Sequence, residues 1–186
     1  YKRQLCGFGA FGQQHATAWR SVSPKSRLLL ADKDPLARDL ALRTGFEQED
    51  ICQDYRDLIY KADIVDIVTA SDSHYPIALE ALGAKIPTII EKPAVKTLEE
   101  AQTLKELSQN NALPVQIQFL LRAHPLVIEA KKILKNGEIG RLLAMDGVFT
   151  GWKRMRSDSS ILENDGVHML DLMRFFSEVK PIDFET

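Results

Sequence analysis

The sequence predicts an α/β fold: a doubly wound parallel sheet with helices on both faces, followed by the start of an incomplete second α/β domain. Three observations carry that reading. Strand-like and helix-like stretches alternate through residues 1–120. The strand-like stretches are near-continuous apolar runs, the pattern of parallel strands buried on both faces. A glycine-rich turn, Gly7-x-Gly9-x-x-Gly12, stands between the first strand and the first helix, where a Rossmann dinucleotide domain holds its phosphates.

Each element has a local justification. Leu5-Cys6 ends a short first strand, and Gly12 to Val22 reads as a helix. Leu28 to Ala31 is a strand; Pro35 to Thr44 is a helix with proline in its first turn, where the missing N–H costs little. Ile64 to Thr69 is a strand and Tyr75 to Ala84 a helix. Thr88 to Ile90 is a buried strand that stops at Glu91-Lys92-Pro93. Thr97-Leu98-Glu99-Glu100 is a capping-box pattern opening a helix to Asn110, and Pro114 to Phe119 is the next strand. These elements make residues 1–120 the expected dinucleotide-binding domain. Beyond Arg122 the character changes. Leu126 to Asn136 is an amphipathic helix closed by Gly137, Leu142 to Phe149 a longer strand, Trp152 to Asp158 a basic connector and Val167 to Phe176 an apolar helix. One strand and two helices do not close a domain, and a lone strand leaves its edges unpaired. Residues 121–186 are therefore expected to be the N-terminal part of a truncated substrate and oligomerisation domain, with a homo-oligomer formed through it.

Composition narrows the function classes. The chain has 186 residues, 45% of them hydrophobic and 27% charged, with a net charge of −2. That is an ordinary soluble globular balance, with no basic footprint for nucleic acid or an anionic membrane. No run approaches the roughly 18 apolar residues of a membrane span. Cys6 and Cys52 have no metal-like spacing, so no metal site is expected, and free thiols fit a reducing, cytoplasmic setting. No leader is expected, because the first four residues run straight into the glycine motif.

The glycine turn carries the first functional expectation. Gly7 allows the tight turn, Gly9 the close approach of a pyrophosphate and Gly12 close packing of helix on strand. Phe8, Ala10 and Phe11 lie between them, and the helix they open offers N–H groups and a partial positive charge to the phosphates. An acid about 20 residues further on completes the pattern. Asp32, at the end of the second strand, is placed to accept the adenosine ribose hydroxyls, which favours NAD. Lys33 beside it could reach a 2′-phosphate and leaves NADP open.

Three longer stretches carry a resemblance: "GFGAFGQQHA", "VDIVTASDSHYPIALEALGAKIPTIIEKPA" and "NDGVHMLDLMRFF". Together with Arg122-Ala123-His124-Pro125 they resemble the Gfo/Idh/MocA family of nicotinamide-dependent oxidoreductases. The resemblance implies a Thr-x-x-x-x-His loop, here Thr69, Ala70, Ser71 and His74, and a Glu91-Lys92-Pro93 element with a cis Lys–Pro bond. It also implies an Asp-x-Gly-x-His-x-x-Asp helix, here ending in His168 and Asp171. It places Lys92 and His168 as the catalytic pair, with both beside Arg122 as substrate contacts. It implies hydride transfer between NAD(P) and a secondary alcohol of a sugar, polyol or related small molecule. An imidazole ordinarily titrates in the range useful for a base, which suits His168; Lys92 could polarise the alcohol oxygen or, with a lowered pKa, take its proton. Where the family has an aspartate four residues before the histidine, this chain has Asn164, with Asp165 one step later. Asn164 can orient an imidazole but supplies no charge, and Asp165 is the residue that could supply it in this catalytic group; the departure leaves a non-catalytic NAD(P)-binding protein or an assembly subunit as the second reading. Several roles stay open on the residues alone. His15 is read as a packing residue, His74 as cofactor-lining or helix-capping, and Arg122 as a domain-joining ion pair or a substrate contact. Asp171 is read as a surface charge or part of the site; Trp19 and Trp152 carry no assigned chemistry.

Overall fold

The computed structural model describes residues 1–150 and 160–179. The chain divides into two compact units, Tyr1–Gln118 and Phe119–Thr186.

The first unit is a six-stranded parallel sheet. Its strands are β1 (Lys2–Cys6), β2 (Arg27–Ala31), β3 (Ile51–Cys52), β4 (Ile64–Ile67), β5 (Thr88–Glu91) and β6 (Val115–Gln118). They lie in the order β3-β2-β1-β4-β5-β6, the order of a doubly wound dinucleotide fold. The helices are α1 (Ala10–Val22), α2 (Pro35–Arg43), α3 (Arg56–Ile59), α4 (His74–Gly83) and α5 (Leu98–Asn110). Caps fix their starts. Asp34 accepts from the Leu36 N–H ahead of α2, and Thr97 and Glu100 make both bonds of the capping box ahead of α5. The core forms two clusters. One gathers Leu5, Leu30, Ala16, Ala41 and Phe46; the other gathers Cys6, Ile67, Ile90, Ala78, Leu82 and Leu104. Leu5 and Cys6 are neighbours on β1 and point to opposite faces of the sheet, which is why helices must cover both sides. Leu30 and Leu82 are fully buried, so truncating either to alanine would cost about 2–5 kcal/mol.

The second unit opens with a short turn, Leu120–Ala123, followed by α6 (Pro125–Lys135) and α7 (Val167–Ser177). The His124 side chain accepts from the Leu126 N–H, and Pro125 takes the first helical position. Gly137 follows α6 with φ of 72°, in the left-handed region that closes helices. The expected strand from Leu142 to Phe149 is absent: these residues form no regular element. Their apolar content suggested a strand, but a strand needs a partner, and among the described residues none pairs with them. Leu143 and Val148 stand 80% and 82% exposed. The apolar helix from Val167 is preceded by a π-turn, Leu162–Gly166, which sequence periodicity does not reveal. The expected connector from Trp152 to Asp158 lies outside the described residues.

Candidate functional site

In the first unit the register brings the carboxyl ends of three strands side by side: Cys6 lies level with Ile67, and Ile67 with Ile90. The loops after them therefore emerge at one edge, the usual ligand edge of an open α/β sheet. Gly7 turns with φ of +100°, and a Cβ there would stand 2.7 Å from the Val68 carbonyl oxygen. A Cβ on Gly12 would overlap the Gly7 carbonyl oxygen. Gly9 is different, since a Cβ there would meet nothing within 4 Å. α1 starts immediately after it, with no side-chain cap and no acid in its first turn. Its first N–H groups lack intrahelical partners, and a helix N-terminus beside such an open glycine is suited to an anion.

Asp32 is held at the end of β2 by two backbone donors, the Phe8 N–H at 2.6 Å and the Asp34 N–H at 2.9 Å. Each oxygen keeps a second lone pair for a ligand hydroxyl. Arg38 donates to the carbonyls of Asp32 and Lys33 and fixes the turn. A cleft of about 370 Å³ opens here, lined by Gly7, Asp32, Lys33, Thr69 and Ala70. Its far wall, Gln53 to Arg56, was not expected from sequence. The Thr69 hydroxyl at the cleft is buried without a hydrogen-bond partner, as is the Ser71 hydroxyl in the same loop. An open phosphate end, a carboxylate for ribose and an orphaned hydroxyl together fit a dinucleotide.

The Glu91-Lys92-Pro93 element lies at the same edge, and its Lys92–Pro93 bond is cis. Two neighbours behave differently from expectation. His74 is 2% exposed. Its Nδ1 lies 2.8 Å from the Pro93 carbonyl oxygen and its Nε2 3.0 Å from that of Thr69. It therefore neither lines the cofactor cleft nor caps α4, but staples the Thr69 loop to the Pro93 loop. Glu91 also turns away from the cleft. One carboxylate oxygen faces His15 Nε2 at 3.3 Å, and the other accepts from its neighbour's N–H, that of Lys92, at 3.1 Å.

His15 is thus more than packing. Its Nδ1 sits 2.9 Å from Asp66 Oδ2, which also accepts from Trp19 Nε1 at 2.7 Å. Burial pulls the imidazole pKa down, but hydrogen bonds to Asp66 and Glu91 outweigh it and raise the value to about 9. Burial, with Asp66 nearby, pushes the Cys6 thiol well up, so it stays neutral behind the glycine turn. The sequence did hold a signal. His15 and Trp19 are one turn apart on α1, and Asp66 and Glu91 are lone acids in apolar strands, which buried strands tolerate only when paired.

In the second unit, His168 stands in the first turn of α7, with Asn164 and Asp165 in the π-turn before it. The α-helical spacing that would set Asn164 on the His168 face does not hold through a π-turn. Asp171 is 7% exposed, not a surface charge. It accepts a two-pronged bond from Arg122, Nε to Oδ2 at 2.8 Å and Nη2 to Oδ1 at 2.6 Å. This hydrogen bond raises the already high pKa of Arg122, whose guanidinium also lies 5.2 Å from the Phe175 ring. The ion pair joins parts of one unit rather than two domains, and it commits the Arg122 fork. Lys131 donates to the Phe175 and Phe176 carbonyl oxygens at the end of α7.

Residues 2–119 match the model of the Gfo/Idh/MocA group, described as an oxidoreductase family with an NAD-binding Rossmann fold. The chain belongs to this family. It is 30% identical to levoglucosan dehydrogenase of Pseudarthrobacter phenanthrenivorans over 92% of its length and 50% of that protein. It is 38% identical to inositol 2-dehydrogenase of Salmonella typhimurium over 78% of its length and 45% of that protein. A solved levoglucosan dehydrogenase in complex with NADH and levoglucosan is similar, with a TM-score of 0.80 at 27% identity, covering 94% of this chain and 53% of that one. The chain spans about half the length of these relatives. Its first unit carries the NAD-binding Rossmann fold of that family.

Proposed function

We propose that this chain binds NAD at the glycine edge of its first unit and serves hydride transfer to or from a secondary alcohol of a sugar or polyol. The observation that carries the reading is placement: Lys92 leaves β5 at the same sheet edge as the Gly7–Gly12 turn and the orphaned Thr69 hydroxyl. NAD supplies the hydride acceptor when bound. Gly9 leaves room for its pyrophosphate, and Asp32 accepts from the ribose and repels a 2′-phosphate. Lys92 holds the alcohol oxygen by hydrogen bonding as the hydroxyl proton departs. His168, by the motif it stands in, takes that proton. Arg122 we assign to positioning α7 through Asp171 rather than to substrate contact.

The polyhydroxylated substrates named in the relatives, levoglucosan and inositol, support the substrate class. Exposed Leu143, Val148, Phe149, Leu162 and Leu170 in the second unit support self-association through it. Two free cysteines support a reducing, cytoplasmic setting. No described helix is long and apolar enough to cross a membrane.

The test is a titration of the native full-length protein with NAD and NADP by tryptophan fluorescence, then a panel of sugars and polyols followed by NADH formation. Tighter binding of NAD and turnover of at least one polyol are expected. Equal affinity for NADP would remove Asp32 as the selector, and NAD binding with no turnover of any alcohol would overturn the catalytic reading.

A further inference from the structure

We propose that His15 is a positioning residue for Lys92: clamped between Asp66 and Glu91, it fixes the Glu91 carboxylate, which in turn holds the Lys92 backbone. The proposal rests on the reading of Lys92 as the group that meets the substrate oxygen.

Each link is a contact seen in the structure. His15 Nδ1 lies 2.9 and 3.2 Å from the two Asp66 oxygens, and Nε2 lies 3.3 Å from Glu91 Oε1. Carboxylates only accept, so both ring nitrogens must donate, which needs the imidazolium. Asp66 on β4 is level with Ile89, two residues before Glu91 on β5, so both acids point to the α1 side of the sheet. Arg3 of β1 reaches the same face, with its guanidinium 4.4 Å from the Trp19 ring centroid. The charged groups that bond the ring are thus Asp66 and Glu91, from the adjacent strands β4 and β5, and Arg3 stands beside them against Trp19. Glu91 Oε2 then accepts from the Lys92 N–H at 3.1 Å, the first peptide beyond β5. His74 secures the far side of the lysine through the Pro93 carbonyl oxygen. Lys92 is therefore bracketed by two histidines, His15 through the Glu91 carboxylate and His74 through the Pro93 carbonyl.

Without the His15 charge, two nearby acids would share one fewer donor, and Glu91 would gain by swinging away from Asp66. The Lys92 N–H would then lose its acceptor. A displacement of about 1 Å near reacting atoms can cost roughly 100-fold in rate, so a residue that never touches substrate can govern turnover.

Solution spectra of the native full-length protein, isotope-labelled at histidine and lysine nitrogens, read the clamp without any variant. The expected result is a doubly protonated His15 ring that titrates at about 9, with the Lys92 amide signal moving through the same midpoint. A neutral ring at neutral pH, or a Lys92 amide that stays still through the His15 titration, overturns the proposal. Kinetics supply the second arm. His15→Gln and Glu91→Gln are each expected to lower kcat about 10–100-fold, the usual cost of losing an outer supporting contact, with NAD affinity and substrate KM near the parent's. Parent kcat in the folded His15→Gln protein, with turnover lost in Lys92→Met, overturns the clamp and leaves the lysine reading standing. Parent kcat in Lys92→Met overturns both.

Discussion

Raising the pH through the titration of His15 should remove a defined part of the stability of the first unit. The folded imidazole, at about 9, lies above its ordinary 6.5. A group whose pKa is raised by folding stabilises fully below its unfolded value and loses that contribution as pH climbs through the folded value. The window is therefore from about 6.5 to about 9, and stability falls across it. At 1.36 kcal/mol per pKa unit the shift corresponds to roughly 3 kcal/mol. The ring is partly open to solvent, so screening reduces this to about 1–2 kcal/mol. In a chain of this size each kcal/mol moves Tm by about 2–4 °C, which gives roughly 2–8 °C in all. The assay is calorimetry of the parent and of His15→Gln across the window, since the difference cancels groups common to both. The parent should lead at the acid end and lose its lead toward the alkaline end. A parent-minus-variant difference that stays flat or grows with pH would refute the assignment of the imidazolium to this pair of acids.

Other outcomes follow from the same geometry. Gly9→Val should weaken NAD binding by at least about 2 kcal/mol, on the order of an overpacking penalty, because its side chain enters the space left for the pyrophosphate. Its Tm should stay near the parent's, since a Cβ there meets nothing within 4 Å beyond its own chain neighbours; an unchanged NAD affinity would remove the turn as a phosphate cradle. Gly7→Ala should instead destabilise the fold by about 1–3 kcal/mol, as φ is +100° and the Val68 carbonyl blocks the Cβ; denaturant titration reads this directly. Arg122→Ala should cost about 2–4 kcal/mol by leaving Asp171 buried without its cation, and a parent-like denaturation midpoint would show that the pair contributes nothing.

The sequence exposed the first unit readily because its signals are local. Apolar runs such as Ile64–Val68, the capping box at Thr97 and the glycine turn each specify one conformation with no distant partner. β3 escaped because two residues carry no period, and with it went the cleft wall from Gln53 to Arg56. The segment from Leu142 failed for the opposite reason, since its apolar pattern was legible while the pairing that makes a strand is not a local property. At the site, the motif residues Lys92 and Asp32 stood out by position. The partners of His15, His74 and Arg122 did not, because contacts across 19 to 76 residues depend on register between elements. Glu91 shows the difference well. Sequence placed it at the ligand edge, and the register of β4 against β5 turns its carboxylate inward to His15.

The central claim is that Lys92 is the group at which the alcohol reacts beside NAD. Single-turnover kinetics of the native full-length protein and its Lys92→Met variant, with NAD bound and a sugar or polyol that the parent oxidises, test it most directly. NAD affinity and Tm should be retained in the variant, while NADH formation should fall by roughly two to three orders of magnitude, the range for a lost donor to a developing oxyanion. A Lys92→Met protein that forms NADH at the parent rate would contradict the account and leave the lysine as a strand-end charge.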